Sequence, residues 1–336
     1  MKTIPTLWII ALLALAPAAN LSAADAPLAA TPSPARTKDN VEFTIGPDYA
    51  YAPELTRRDG VPVGTVHTFT MNSEDSKIYP GISKTQPPPA PYKRQVAVYV
   101  PSQYVAGQPA PFIVAQDGVR AYGKILPVML DNLIHEHRVP AMIAIMIDSG
   151  GGDSKGSQRG LEYDTVSATY ATFIESEVLP RIAKDYNVTF TEDPEGRAAM
   201  GGSSGGAAAF TMGWFRPDLY RRILTYSGTY VDQQSPLNPA SPHGAWEYHE
   251  HLIPQSARQP LRIWLEVSEN DNGAKRDEAS LHNWVLANQR MAAVLKAKGY
   301  PYRYVYAEAA GHTDGRVTRQ TLPGALEWLW QGYSGK

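Results

Sequence analysis

Two different patterns of apolar and polar residues divide this chain near residue 111. Before that point, Thr65–Met71 and Arg94–Val100 alternate apolar and polar residues, which predicts antiparallel strands with one face in water. After it, the apolar residues form short continuous runs, as expected of parallel strands that are covered on both faces. These runs are Phe112–Ala115, Ala141–Ile147, Ala198–Met200, Ile223–Tyr226, Ile263–Val267 and Tyr302–Ala307.

Helical periodicity fills the gaps between these runs. Apolar residues recur at helical spacing over Ser167–Tyr186, Ala279–Lys298 and Leu322–Tyr333. Strands that alternate with helices predict an α/β fold with a mainly parallel central sheet and helices on both faces. The two alternating segments would then form an antiparallel N-terminal edge of that sheet.

The N-terminus has the pattern of an export signal. Lys2 is followed by an apolar stretch from Leu7 to Ala19 and then by small residues that end at Ala24. This order is typical of a signal peptide, and the apolar stretch is too short to span a bilayer comfortably. We therefore expect cleavage after Ala24, with Ala26 as the second choice, and a periplasmic or secreted protein without stable membrane insertion.

Three segments follow from this pattern. Residues 1–24 form the signal peptide, and residues 25–40 form a flexible lead-in that is rich in Ala, Pro, Ser and Thr. Residues 41–336 are predicted to fold as a single domain, a length that can bury a large core.

Charge and cysteine content exclude several classes of function. The 336 residues carry a formal net charge of −2, so there is no basic surface of the kind that binds nucleic acid. With no cysteine, the chain cannot use disulfides, thiolate catalysis or cysteine-bound metals. His249 and His251 form a short His-x-His pair, which is too weak a signal to predict a metal, and no cofactor is expected.

A Gly/Ser-rich segment carries the strongest chemical signal. Gly202-Ser203-Ser204-Gly205-Gly206 matches G-x-S-x-G, the sharp strand-to-helix turn that exposes a nucleophilic serine. This match predicts Ser204 as the nucleophile, at the start of the following helix. A buried run before the motif and a helical pattern after it favour this interpretation over a plain Gly/Ser loop.

A serine nucleophile needs a histidine base and a carboxylate. Where the serine lies on such a strand-to-helix turn, the three residues occur along the chain in the order Ser, then Asp or Glu, then His. His312 follows the last predicted strand in a glycine-flanked loop, where the base is expected. Two carboxylates compete for the third role after the strand Ile263–Val267. Asp271 lies on the turn and is preferred, and Glu269 is the alternative.

Other residues would complete the site. Two backbone N–H groups must stabilise the oxyanion, and we expect them from Gly205 and from Val119 on the loop after Phe112–Ala115. Asp117 and Arg120 on that loop are candidate substrate contacts. A further pair, Trp246 and Tyr248, would form either an aromatic wall for substrate or the inner face of a cap.

Together, the Asp117-Gly118 loop, the Gly-Ser-Ser-Gly-Gly turn, the Asp271 turn and the Gly-His loop resemble the putative-esterase family of α/β-hydrolases. The resemblance covers about residues 92–333, and the segment 159–164 is most like the enterochelin-esterase branch. It implies an α/β-hydrolase fold and a Ser204, Asp271, His312 triad, with Val119 and Gly205 as oxyanion donors.

The expected function is therefore that of an exported serine esterase. Its substrate would be a small-molecule or polysaccharide-linked ester, either a carbohydrate- or aryl-linked ester or a siderophore-type lactone. An acyltransferase with the same triad and an idle binding module on the same fold are the alternatives.

Overall fold

A nine-stranded mixed sheet forms the centre of the fold. The computed structural model describes residues 41–82, 90–153 and 155–335, which fall within one unit spanning residues 38–336. The predicted signal peptide and lead-in, residues 1–40, lie outside the described residues.

The strands are numbered in chain order, and β4 and β7 form a separate two-stranded sheet. They are β1 (Val41–Ile45), β2 (Thr65–Asn72), β3 (Lys93–Val100), β4 (Pro109–Ala110), β5 (Phe112–Gln116), β6 (Ile143–Ile147), β7 (Thr189–Phe190), β8 (Arg197–Gly202), β9 (Arg222–Tyr226), β10 (Arg262–Asn270) and β11 (Tyr302–Gly311). In the large sheet the order is β1-β11-β10-β9-β8-β5-β6-β3-β2. The six apolar runs are all parallel strands of this sheet, as predicted.

The two edges of the sheet differ. At one edge, β2 pairs antiparallel with β3 and β3 pairs antiparallel with β6, which confirms the predicted N-terminal edge. At the other edge, β1 pairs parallel with β11, and this strand was not predicted. Its three central residues are exposed, so it contains no apolar run that could have revealed it.

Helices connect the strands and cover the sheet. They are α1 (Gly118–Tyr122), α2 (Leu126–His135), α3 (Gln158–Tyr163), α4 (Thr169–Phe173), α5 (Leu179–Tyr186), α6 (Ser204–Phe215), α7 (Ile253–Gln255), α8 (Trp284–Ala297) and α9 (Gly315–Trp330). A π-helical turn joins α4 to α5, so the predicted helix over 167–186 is present with one irregular turn.

Two helix starts differ most from the sequence prediction, and capping side chains explain both. The helix expected from Ala279 begins at Trp284, because the Asn283 side chain accepts a hydrogen bond from the Leu286 N–H and caps it there. The helix expected from Leu322 begins at Gly315, where Asp314 is the cap. Among the described residues, no helix combines the length and the apolar character needed to cross a bilayer.

Alternate residues of the buried strands enter two separate cores. In β5, Phe112 and Val114 pack into one hydrophobic cluster, and Ile113 and Ala115 pack into the other. The first cluster includes residues of α6 and α8, and the second includes residues of α2 and α9. The helices therefore cover both faces of the sheet, and the carboxyl ends of the strands remain to build a site.

Candidate active site

A strained serine lies between β8 and α6. Strand β8 ends at Gly202 and helix α6 begins at Ser204, so Ser203 alone makes the turn, with φ 57° and ψ −130°. A positive φ is uncommon for a non-glycine residue and persists only where the surroundings impose it. Here the Ser203 N–H donates to the Tyr226 carbonyl (2.9 Å), and the Ser203 carbonyl accepts from the Thr229 N–H (3.1 Å).

Two glycines make this turn sterically possible. A Cβ on Gly201 would lie 2.4 Å from the backbone of Gly205, a distance that no side chain tolerates. Gly201 and Gly205 stand two residues before and two residues after Ser203. The G-x-S-x-G motif therefore applies in the register that centres on Ser203, one residue earlier than predicted.

His312 connects this serine to a carboxylate. It directly follows β11, and its Nε2 lies 2.8 Å from Ser203 Oγ. On the other side of the ring, Nδ1 lies 2.5 Å from Oδ1 of Asp271, whose side chain is fully buried. The structure thus brings together Asp271 and His312 as the sequence indicated, with Ser203 as the third member.

The geometry does not support the predicted nucleophile, Ser204. Ser204 is fully buried, and its Oγ accepts a hydrogen bond from Gln233 Nε2 (3.3 Å) instead of facing His312. The Ser204 hydroxyl also hydrogen-bonds to Asp164, a buried carboxylate that accepts from Gln233 Nε2 as well (3.0 Å). Burial raises the pKa of Asp164, while its hydrogen bonds to Gln233 and Ser204 oppose this shift. Ser204 therefore supports the side chain of Gln233.

The choice between the two candidate acids follows from their contacts. Glu269 Oε2 accepts a hydrogen bond from the Ala309 N–H (2.7 Å) on the neighbouring strand and has no contact with His312. The pairing of β10 with β11 shifts register between Ser268 and Asn270. The chain then leaves the sheet, and Asp271, one residue later, contacts His312. The geometry favours Asp271, as preferred from the sequence.

Of the two predicted oxyanion donors, Val119 already has a partner, and the assignment of Gly205 depends on which serine makes the turn. Helix α1 begins at Gly118, and this turn directs the Val119 N–H onto Oδ1 of Asp148 (3.1 Å), so Val119 is not a free donor. The sequence indicates Gly205 because this residue follows Ser204. With Ser203 in the turn, the residue that follows is Ser204, the first residue of α6. The first N–H groups of a helix have no partner within it and can face an anion.

A cavity of about 460 Å³ opens beside Ser203 and His312. Three aromatic residues, Tyr122, Tyr226 and Trp284, contribute to its wall. The ring of Trp284 packs edge-on against His312, with the ring centroids 6.0 Å apart. A mixed apolar and polar cavity of this size is typical of small-molecule sites.

Charged and polar residues form another part of the wall. Asp117 lines the cavity, and its carboxylate is bound by Arg159 through Nη2 (2.8 Å) and Nε (2.9 Å). Arg120 also binds Asp117, but its side chain is 63% exposed and does not line the cavity. Sequence reasoning missed Gln233, which lines the cavity while Asp164 and Ser204 hold its amide.

Trp246 and Tyr248 do not form a wall for substrate. Both are fully buried, and neither lines the cavity. The Tyr248 hydroxyl hydrogen-bonds to Thr211 (2.7 Å), and the Trp246 ring packs against His249. Of the two roles left open by the sequence, the inner packing role is the one observed, because both rings pack into the core that includes α6.

The His249-x-His251 pair does not converge on a common point. His249 is buried with Nε2 facing the Tyr230 carbonyl (3.3 Å), whereas His251 is half exposed and its Nδ1 contacts Glu247 (3.1 Å). Within the part of the chain that the structure describes, Glu247, Glu250 and His251 bring three potential ligand atoms within 4.8 Å of one another. Two of these three residues are exposed, and we assign no metal site to them.

A buried glutamate on the strand that leads to Asp271 makes stability depend on pH. Burial raises the pKa of Glu266 from 4.5 to about 8, while a hydrogen bond from Ser268 opposes this shift. Between about pH 4.5 and 8 the unfolded chain ionises this carboxyl and the folded chain keeps it neutral, so the free energy of unfolding falls as pH rises.

Glu266→Gln should remove this dependence. We compare the free energy of unfolding of the variant with that of the wild type. The difference in favour of the variant should be a few kcal/mol larger at pH 8 than at pH 5, at about 1.4 kcal/mol per pKa unit. Denaturant unfolding of both proteins at the two pH values measures this difference. A stability difference that is the same at both pH values would contradict the expectation.

Solved esterase structures share this fold. An enterobactin esterase from Shigella flexneri superposes with a TM-score of 0.56 at 20% sequence identity, covering 83% of this chain and 61% of that chain. A ferulic acid esterase superposes with a TM-score of 0.58 at 17% identity, covering 81% of this chain and 99% of that one. The architecture is the α/β-hydrolase fold, as predicted.

Sequence comparison agrees with the fold. The chain is 27% identical over 205 residues to the iron(III) enterobactin esterase of Dickeya dadantii (strain 3937), a match that covers 58% of this chain and 41% of that protein. The chain thus spans less than two thirds of the length of the enterobactin esterases that it matches. The family model described as "Putative esterase" matches residues 90–329, so the chain belongs to this esterase family.

Proposed function

We propose that this protein is an exported serine esterase that hydrolyses carboxylic esters through an acyl-enzyme on Ser203. One observation carries the proposal: Asp271, His312 and Ser203 form a continuous hydrogen-bonded line that ends at a strained turn beside a cavity. Membership of the esterase family supports the same reaction class.

The roles of the three residues follow from their order in this line. Asp271 fixes the tautomer of His312 with the hydrogen on Nδ1, which leaves Nε2 free to take the proton of Ser203. Ser203 Oγ attacks the ester carbonyl, and the proton moves from Nε2 to the departing alcohol. A water molecule then repeats the sequence and releases the acid.

The start of α6 provides the electrostatic part of the mechanism. Its first N–H groups, those of Ser204 and Gly205, are orphan donors at the positive end of the helix, directly after Ser203. We assign the Ser204 N–H to the oxyanion that forms when Oγ attacks. Removing one such donor typically costs about 10²- to 10³-fold in kcat.

The substrate class is proposed from the cavity and the relatives. Aromatic rings and polar groups share the wall, which suits an aryl or sugar ring next to an ester. The relatives named above are esterases of enterobactin and of ferulic acid. We therefore propose a carbohydrate- or aryl-linked ester or a siderophore-type lactone as the substrate, and we invoke no cofactor.

A substrate panel tests the proposal. Purified protein would be assayed with p-nitrophenyl acetate, methyl ferulate, acetylated xylan and a catecholate trilactone, with Ser203→Ala as the blank. We expect hydrolysis of at least one ester above the blank, unchanged by EDTA. Equal rates for the wild type and the blank on all four substrates would reject the proposal.

Export is proposed from the N-terminal pattern alone. The apolar stretch and the small residues that end at Ala24 predict that the mature chain begins at Asp25. N-terminal sequencing of the protein recovered from periplasm or medium checks this expectation. An intact Met1 on the purified protein would count against export.

A further inference from the structure

A threonine hydroxyl contacts the oxygen of the proposed nucleophile, which also contacts His312. Thr229 Oγ1 lies 3.3 Å from Ser203 Oγ and 3.2 Å from Nε1 of Trp284. Thr229 is 1% exposed, and its own N–H donates to the Ser203 carbonyl. The hydroxyl therefore has a fixed position against the reacting oxygen.

The chemistry of its neighbours decides the direction of this hydrogen bond. An indole N–H only donates, so Thr229 Oγ1 is the acceptor of the bond from Trp284. His312 Nδ1 faces the Asp271 carboxylate and carries the hydrogen, so Nε2 is an acceptor and the Ser203 hydroxyl donates to it. The hydrogen of Thr229 is then the one that lies between Oγ1 and Ser203 Oγ.

We propose that the Thr229 hydroxyl is a catalytic residue of the deacylation step, in which it donates to Ser203 Oγ as that oxygen leaves the acyl group. This inference rests on the proposed esterase function. In the acyl-enzyme, Oγ is the alkoxy oxygen of an ester, a weak acceptor because its lone pair is delocalised into the carbonyl. As the bond between the acyl carbon and Oγ breaks, negative charge returns to Oγ and the bond from Thr229 strengthens.

Protons balance without Thr229 giving up its own. Water adds to the acyl carbon and its proton passes to His312 Nε2; the acyl carbon–Oγ bond then breaks, and the same proton moves from Nε2 to Oγ. Thr229 keeps its hydrogen throughout. Acylation gains less, because Oγ begins that step as a hydroxyl oxygen that already accepts the bond, whereas in deacylation it begins as the weakly accepting oxygen of an ester. Only interactions that are stronger in the transition state than in the ground state accelerate a step, so the larger effect belongs to deacylation.

Thr229→Val tests this inference because it keeps the shape of the side chain and removes the hydroxyl. With p-nitrophenyl acetate, we expect the deacylation rate constant to fall about tenfold, while the acylation rate constant stays within about threefold of the wild type. Rapid-mixing measurement of the p-nitrophenol burst gives both constants. Intact mass after a rapid quench should show an acetyl adduct that accumulates in the variant, and Thr229→Ser should restore the wild-type deacylation rate.

A purely structural role for Thr229 predicts a different pattern. Losing the acceptor for Trp284 could move that ring and, with it, His312, which serves both steps. Acylation and deacylation would then slow together, and this result would overturn the inference. An adduct on Ser203 with unchanged deacylation in Thr229→Val would also overturn it, while leaving the esterase proposal intact. Ester hydrolysis that persists in Ser203→Ala would overturn both the inference about Thr229 and the proposed mechanism on Ser203.

Discussion

Ser203→Ala is expected to lower kcat for ester hydrolysis by about 10⁴- to 10⁶-fold, because the variant loses the oxygen that forms the acyl-enzyme. The fold should remain intact, since the main-chain bonds that hold the turn do not involve the hydroxyl. Initial rates on the best ester of the panel measure the effect. Circular dichroism and the thermal midpoint check that the variant is folded.

Ser204→Ala is the matched control, one residue along the same motif. This change removes a hydroxyl that supports Gln233 and leaves the backbone N–H at the start of α6 in place. We expect a loss of at most about tenfold, the scale of one supporting hydrogen bond. A large loss in Ser204→Ala with near-wild-type rates in Ser203→Ala would restore the sequence-based assignment.

The second large effect is expected at the carboxylate. Asp271→Asn keeps the shape of the side chain, but its amide favours the tautomer of His312 with the hydrogen on Nε2. That tautomer cannot accept the proton of Ser203, so kcat should fall by about 10³- to 10⁴-fold. Steady-state kinetics with the same ester measure the loss.

Glu269→Gln is the control for this prediction. Glu269 accepts a main-chain N–H from Ala309, and an amide oxygen can keep that bond. We expect at most about a tenfold loss. If Glu269→Gln proved as damaging as Asp271→Asn, the contact between Asp271 and His312 would not be the one that matters for the reaction.

The central sheet could be predicted from the sequence because burial on two faces leaves continuous apolar runs. Each of the six runs became a parallel strand, and both alternating segments became the antiparallel edge. Strand β1 could not be predicted because three of its five residues are exposed at the edge of the sheet. The start of α9 could not be predicted from apolar periodicity, because the helix begins directly after its cap, Asp314, well before that periodicity begins.

The sequence indicates Ser204 whereas the geometry favours Ser203, because this segment contains two overlapping matches to G-x-S-x-G. The match that applies is the one whose two glycines have backbones in close contact. Gly201 and Gly205 are such a pair, so the match centres on Ser203. A signal was nevertheless present in the sequence. A helix predicted to begin at Ser204 leaves the preceding residue, Ser203, as the residue that makes the turn.

Contacts across the fold decide several points that spacing along the chain leaves open. Trp246 and Tyr248 lie in a long connection, and only packing shows that it folds inward against α6. The Val119 N–H donates to Asp148, the residue directly after the neighbouring strand β6, a contact that spacing along the chain does not reveal. Thr229 likewise reaches Ser203 from the loop after β9 and has no motif of its own.

The proposed mechanism requires that Ser203 is the residue that becomes acylated. A fluorophosphonate reacts covalently with an activated serine, and fragment masses of the labelled peptide can separate the two adjacent serines. We predict one adduct per chain, located on Ser203 and absent from Ser203→Ala. An adduct on Ser204, or an actively hydrolysing protein that forms no adduct, would contradict the account.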